Sequence, residues 1–458
     1  MNRRHFLMSA AAPAQDDFIR VSRRDPRYLE TSHGRPYIPN GLNLIAPGNA
    51  KDEAGGFATF ERWLERLAEN RGNYIRLWLS HAFWAVEHER EGEYDESRAK
   101  RVDRALALCR RRGIRAKLTL EHFRTIGEPT RQKWADKPLH NVSNGGSARS
   151  IADFFDGEAS RAQFRRKLDW FAKRFGSDPA VYGWELWNEV NAAQGGDVLA
   201  WTEVMLKELH ARFPRNLAMQ SLGSFDRERA RDLYRRHSLM PGNDLAQVHR
   251  YLDLGAEWEV CHGPVDVLAA EAVRELLSYQ PNKPVILAES GAVEPKHSGP
   301  FQLYATDRAG IILHDVLFAP FFAGAAGAGQ IWHWDSYVDA NNLWHHFGRF
   351  ADVTSGLDPA AEHFRPGMIE HDFLRVYALR GAKTTLAWCR DPDNDWRSEL
   401  EQERPPAVFR GVEVRGLGEG RGRVYDPWSG RSSPLELRKG AARIPEFTRS
   451  VVLRVDHP

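Results

Sequence analysis

Between residue 37 and residue 334, short apolar runs alternate with amphipathic helical stretches, and this rhythm restricts the chain to very few folds. The apolar runs lie at 37–45, 74–80, 115–123, 181–189, 217–223, 245–251, 284–290 and 329–334. Helical stretches separate them at 57–70, 97–112, 159–175, 198–212, 265–279 and 307–318. In the first of these, Phe60, Trp63, Leu64 and Leu67 recur at the i, i+3, i+4, i+7 spacing that packs a helix on a sheet. Strands joined through helices pair in parallel, and eight such steps close a (β/α)8 TIM barrel of the α/β class. A doubly wound open sheet uses the same units but gives no reason for eight.

Beyond about residue 370 the pattern changes. Short strand-like runs at 384–389, 412–416, 422–426 and 450–455 are separated by Pro, Gly and charged turns, without long helices. That composition suits a small antiparallel β-sandwich. The expected division is a tail or export signal at 1–15, the barrel at 16–370 and an accessory sandwich at 371–458. Such a domain is read as bracing the barrel, because it must bury an apolar face on a neighbour.

Charge and cysteine content exclude several classes. With 64 basic and 62 acidic side chains the formal charge is only +2, so no nucleic acid is expected as a partner. Arg110-Arg111-Arg112, the most basic stretch, is placed at the solvated end of a helix. Cys109, Cys261 and Cys389 stand far apart and form no CxxC pair, so no disulfide framework is expected. No segment approaches the roughly 20 apolar residues of a membrane span, and no feature fixes an oligomeric state. The start, Asn2-Arg3-Arg4-His5-Phe6-Leu7-Met8 followed by Ala12-Pro13-Ala14, resembles a short twin-arginine export signal, which predicts a periplasmic or extracellular location. The 15 Trp, 12 Tyr and 23 Phe, many at strand ends and loops, offer flat rings on which sugar CH faces can stack.

In a parallel barrel, functional side chains come from the C-terminal ends of the strands and the loops just after them. Reading those positions alone yields Arg76 on the second strand, His122 on the third and Asn188-Glu189 on the fourth. The sixth gives His249 and Tyr251, the seventh Glu289, and the eighth Trp332 and Trp334. Taken singly, each has a plainer reading as a solvated turn, a satisfied core polar group or packing. Glu289 is the most telling alone, because a carboxylate after four apolar residues must find a partner or face a cleft. The two tryptophans stand two residues apart and are expected on one side of their strand.

Together the residues resemble clan A glycoside hydrolases, most closely the cellulase-like family 5. That family carries Arg on strand two, His on strand three, Asn-Glu on strand four and His-x-Tyr on strand six. A nucleophilic Glu on strand seven and a Trp on strand eight complete its pattern, and all appear here in order over residues 37–340. Which of Trp332 and Trp334 matches the family residue stays open. The stretch Val424-Tyr425-Asp426-Pro427-Trp428-Ser429-Gly430 is similar to accessory sandwiches of barrel glycosidases.

The resemblance implies a retaining β-glycosidase that works without cofactor or metal on β-linked oligo- or polysaccharides. Glu189 would act as acid/base and Glu289 as nucleophile, with carboxyls about 5–5.5 Å apart. Arg76 and the Tyr251 hydroxyl would hold Glu289 as an anion, and Asn188 would bond the sugar 2-hydroxyl. His122 and His249 would bind sugar hydroxyls or orient the acid/base, and Trp332 or Trp334 would floor the site. Transglycosylation at the same site, and a carbohydrate-binding barrel without catalysis, are the alternatives. Glu185 and Glu121 are weaker catalytic candidates because they lie deeper or face differently. His345-His346 is read as part of a solvated loop, since adjacent histidines diverge too far to share a metal. Long connections at 124–158 and 335–358, carrying Trp134, Asn141, Asn144, Trp344 and His345, are expected to narrow the cleft toward a pocket.

Overall fold

The structure is a computed structural model that describes residues 17–48, 50–122, 138–193 and 195–458. The twin-arginine-like start and Trp134 lie outside the described residues. Two compact units divide the chain: one comprises Met1–Arg20, Thr31–His33 and Leu44–Ser221, the other Val21–Glu30, Gly34–Asn43 and Leu222–Pro458.

The first unit holds barrel strands two to five, Tyr74–Trp78, Arg115–His122, Val181–Asn188 and Leu217–Met219, paired in parallel in that order. Strands two and four are buried at every residue, which is why they read as continuous apolar runs. Helices start where a side chain caps them. Asp52 accepts from Gly55 N at 2.7 Å ahead of Glu53–Glu69, four residues before the apolar stripe would place the start. Asp95, Ser150 and Asp197 cap Glu96–Arg111, Ile151–Asp156 and Val198–Arg212 in the same way.

In the second unit, strand six (Ala246–His249) pairs in parallel with strand seven (Val285–Glu289). Ile331 then makes parallel bridges to Ser290 and to Leu42, which supplies the order six, seven, eight, one. The (β/α)8 strand set is thus complete, although its members are shorter than the sequence suggests, strands one and eight most of all. Strand one is only Gly41–Leu42, because Pro36–Tyr37 pairs instead with Leu29–Thr31 and Pro39 has no N–H for a ladder. Strand eight shrinks to a bridge at Ile331, because His333 turns the chain at φ 28° into a π-helical turn at Trp334–Asp339. The connection expected at 335–358 is not open loop either. It contains helix His345–Thr354, which buries Phe347, Phe350 and Val353 at helical spacing.

The C-terminal part of this unit is a β-sandwich. Its six-stranded antiparallel sheet has the order Arg365–Ile369, Arg375–Arg380, Thr384–Arg390, Ser450–Asp456, Arg421–Asp426, Arg431–Leu435. Val376, Ala378, Ala387, Cys389, Leu453 and Val455 pack one face against Val414, Ala442 and Ile444 of shorter strands. Residues of opposite parity turn the other way. Trp388 meets Phe318 and Phe322 at ring distances of 5.9 Å, both on helix Ile311–Phe322, which is buried throughout. Polar ties reinforce this seam. Arg390 reaches Asp315 at 2.6 Å, while Arg375 and Tyr377 reach Asp266 at 2.7 and 2.9 Å. Among the described residues no helix is long and apolar enough to cross a membrane.

Removing one partner of a buried ion pair strands the other, at about 3–5 kcal/mol. Arg390→Ala should therefore lower the melting temperature by several degrees in differential scanning calorimetry, and Arg390→Met by less. Equal stability of all three proteins would show that the pair contributes nothing to the seam.

Candidate active site

The first unit places Arg76 midway along strand two, His122 and Asn188 at the ends of strands three and four, and Glu189 just past strand four. Arg76 and Glu185 are both 0% exposed, and Arg76 Nε lies 2.9 Å from the Glu185 carboxylate. Thr119 Oγ1 donates to Glu185 at 2.6 Å, and Lys117 Nζ lies 3.3 Å away. The guanidinium also donates to Asn188 Oδ1 at 2.6 Å, which fixes the amide with its NH2 turned the other way. Glu185 is therefore a buried counter-ion. The Arg76 charge is shared with this carboxylate, which the sequence reading had set aside.

Strict alternation would put residues 185, 187 and 189 on one side of strand four. Instead Glu185 and Asn188 both meet Arg76, while Trp187 packs on Phe154 and Trp201 at 5.5 and 6.0 Å. The strand loses its period of two just before its end. Glu189 follows with φ 55° and ψ 51°, a left-handed conformation costly for a residue with a Cβ. Its N–H is held by Ser221 Oγ at 3.3 Å. His122 stacks on Trp78 at 4.8 Å, and its Nδ1 lies 2.8 Å from Ser80 Oγ.

Glu121 is engaged elsewhere. It contacts Lys167 and lies 3.7 Å from His140 Nε2, and Lys167 also reaches Glu87 at 2.7 Å. Burial opposes the Glu121 charge, but Lys167 and His140 outweigh it and hold the carboxyl below its usual range. Burial likewise works against protonated His140, yet its contacts with Glu121 and Glu91 push it up to about 9.

The second unit carries the remaining residues. Tyr251 donates its hydroxyl to Glu289 at 2.8 Å, and His249 Nδ1 lies 3.4 Å from the same carboxylate oxygen. Strand seven shifts register between Leu287 and Glu289, a bulge that re-aims the carboxylate at the strand end. Asn43 donates to the carbonyls of Ala288, Gln330 and Ile331 at 3.1–3.2 Å, tying strand seven to the shortened strand eight. Trp332 and Trp334, both half-buried, meet edge to face at 5.5 Å because the chain turns between them, not because a strand puts them on one side. That turn also buries His333. Burial first, then neighbouring His297, pushes His333 down to about 4.

Two other expectations change. His346 is not on a solvated loop: it is buried, with Nε2 2.8 Å from the Ala309 carbonyl, and burial pushes it down to about 3. Sequence reading also missed His297, Asp253 and Ser224. The only local signal was a turn-rich Glu294-Pro295-Lys296-His297-Ser298-Gly299-Pro300 after strand seven.

Because folding raises the His140 pKa from 6.5 to about 9, its contribution to stability is complete below about pH 6.5. It is lost as pH climbs through 9, up to roughly 3 kcal/mol. Melting temperature should fall between pH 6.5 and 9, and His140→Gln should flatten that slope. A wild-type profile as flat as the variant's would contradict the network.

Comparison with known proteins identifies the family and the fold. The family profile described as Cellulase (glycosyl hydrolase family 5) matches residues 47–312, more than half of the chain. A search of curated proteins finds no match. Among solved structures, a glycoside hydrolase is similar at TM-score 0.63 and 14% identity, with 98% of each chain covered. A family 5 glycoside hydrolase from Bacteroides vulgatus gives 0.59 at 12% identity, covering 98% of this chain and 95% of its own. The endo-beta-1,4-mannanase from Thermotoga petrophila gives 0.50 at 13%, with 90% of both chains covered. At such identities the likeness establishes the fold, a (β/α)8 barrel followed by a β-sandwich, and the profile establishes the family. The chain belongs to glycosyl hydrolase family 5 and is a retaining glycoside hydrolase.

Proposed function

We propose that the protein hydrolyses β-linked oligo- or polysaccharides by double displacement, with Glu289 as nucleophile and Glu189 as acid/base. One observation carries the assignment of Glu289: a strand-end carboxylate, re-aimed by a bulge, that takes the Tyr251 hydroxyl at 2.8 Å. That hydrogen bond fixes the orientation of the carboxylate at the strand end, from which it attacks the anomeric carbon. Glu189 gives its proton to the departing glycosidic oxygen as the glycosyl–Glu289 ester forms. It then takes a proton from the water that cleaves the ester, returning both carboxyls to their starting states. Asn188, its Oδ1 committed to Arg76, has its NH2 to offer the sugar 2-hydroxyl, where a hydrogen bond strengthens as positive charge develops on the ring. On this reading His122 and His249 contact sugar hydroxyls, and Trp332 or Trp334 forms the ring floor, the roles the family resemblance implies.

A β-1,4-mannan is the first substrate to try, because the Thermotoga petrophila mannanase shares the fold over most of both chains. Fold likeness ranks substrates without choosing one.

Hydrolysis of β-manno- and β-gluco-oligosaccharides and aryl β-glycosides tests the assignment. Glu289→Ala should lose several orders of magnitude on every substrate. Glu189→Ala should lose as much on oligosaccharides but much less in the first step on a 4-nitrophenyl glycoside, whose leaving group departs without a proton. A crystal structure should place the two carboxyls about 5–5.5 Å apart. Separation of 7–9 Å, or full activity in either variant, would overturn the two roles.

A further inference from the structure

Beside Glu289, the segment after strand seven adopts a conformation that its residues do not favour by themselves. Lys296 and His297 are consecutive non-glycine residues with φ of 62° and 57°, both left-handed. An antiparallel bridge between Val293 and Pro300 closes the loop behind them, with Glu294 N donating to the Gly299 carbonyl at 2.9 Å. Two successive left-handed residues with side chains persist only where their surroundings over-determine them.

Asp253 supplies that constraint. Its carboxylate is 3% exposed; Oδ1 accepts from Gly255 N at 2.8 Å and Lys296 N at 3.0 Å, while Oδ2 lies 2.9 Å from His297 Nδ1. The approach is so close that a Cβ on Gly255 would lie 2.7 Å from Lys296 N. One buried carboxylate thus holds the strained turn and the imidazole together. Because Nδ1–H donates to Asp253, the neutral ring has its lone pair on Nε2. Nε2 lies 3.1 Å from Ser224 Oγ and accepts that hydroxyl. The ring stands edge-on to Tyr251, 5.2 Å away at 79°, and Tyr251 is the residue that bonds Glu289. Unlike its Asp253 anchor, the His297 side chain is 36% exposed, within reach of a ligand.

We infer that His297, locked by Asp253, is a substrate-binding and positioning residue: Nε2 accepts a hydroxyl of the bound sugar, and the ring edge keeps Tyr251 on Glu289. Ser224 occupies the acceptor when no sugar is present, so binding exchanges one hydroxyl for another and leaves no buried lone pair unsatisfied. The inference rests on the glycosidase reading above and deepens it, since it names a sugar contact outside the strand ends.

The test separates a ligand contact from a loop pin. In His297→Asn the shorter amide can still donate to Asp253, but nothing remains at the Nε2 position. In His297→Gln an amide oxygen reaches close to that position. The expected result is a KM raised about tenfold to a hundredfold in His297→Asn, with partial recovery in His297→Gln and little change in melting temperature between them. Removing from the substrate the hydroxyl that His297 contacts should erase the difference between wild type and His297→Asn. Wild-type KM and kcat in His297→Asn would overturn the inference, as would a lowered melting temperature with unchanged KM. Hydrolysis of 4-nitrophenyl acetate abolished by Ser224→Ala would overturn it too, by making Ser224, His297 and Asp253 a nucleophilic trio. Turnover that Glu289→Ala abolishes keeps the glycosidase reading however His297 behaves. A wild type that cleaves no β-linked substrate, but whose calorimetric affinity for oligosaccharides drops in His297→Asn, would sink that reading and uphold the sugar contact.

Discussion

A charge inside an interior lined by buried strands must be matched there, because water cannot reach it. Arg76 and Glu185, both 0% exposed, meet this constraint most directly. Leaving one uncompensated would cost several kcal/mol, so neither residue can move without the other. The consequence reaches the chemistry through a single bond. A guanidinium pinned by Glu185 and Thr119 also donates to Asn188 Oδ1, and so sets which face of that amide is turned away from it. The same rule recurs at Lys167 with Glu87 and Glu121, and at Arg390 with Asp315. Each pairing joins elements distant in sequence, so the pairs specify which helix or strand sits where rather than merely adding stability.

How much of this was legible in the sequence depended on how much ladder each strand makes. Strands two, four and seven are buried along their whole length, and their apolar runs marked them to within two residues at each end. Strands one and eight make only bridges or a two-residue ladder, and the runs that suggested them extend well past the paired part. Apolar content reports burial, not pairing. Gly41–Leu42 and Ile331 are buried in strands, but Trp332 and Tyr337 belong to a turn that the same composition cannot distinguish from a strand.

The site was legible where chemistry follows the strand and hidden where it follows a contact. Arg76, His122, Asn188, Glu189, His249, Tyr251 and Glu289 could be picked out as candidates because they lie on or just past barrel strands, where functional groups emerge. Glu185 was placed on its strand without a partner, since only three dimensions bring Arg76 and Lys117 to it. Asp253 and Ser224 gave no signal because their importance comes from His297, more than forty and seventy residues away respectively. Period-two reasoning failed for Trp332 with Trp334, and for Glu185 with Asn188, at the point where each strand stops being regular.

Those irregularities fall where a ladder ends. Glu189 is left-handed after an eight-residue strand, and Glu289 follows a register shift after a well-paired run. His333 and the Lys296–His297 pair turn just past strands eight and seven. Behind Glu189 and Glu289 a paired ladder absorbs the strain, because the strand cannot relax without losing several hydrogen bonds together. The two carboxylates therefore ride on the stiff part of the fold, where a displacement of a fraction of an ångström matters to bond cleavage. His297 rides on a loop whose shape depends on one carboxylate, Asp253. On the proposed reading, bond cleavage rests on the strand-end carboxylates and sugar recognition at His297 on the hydrogen bonds of Asp253, with Tyr251 touching both Glu289 and His297.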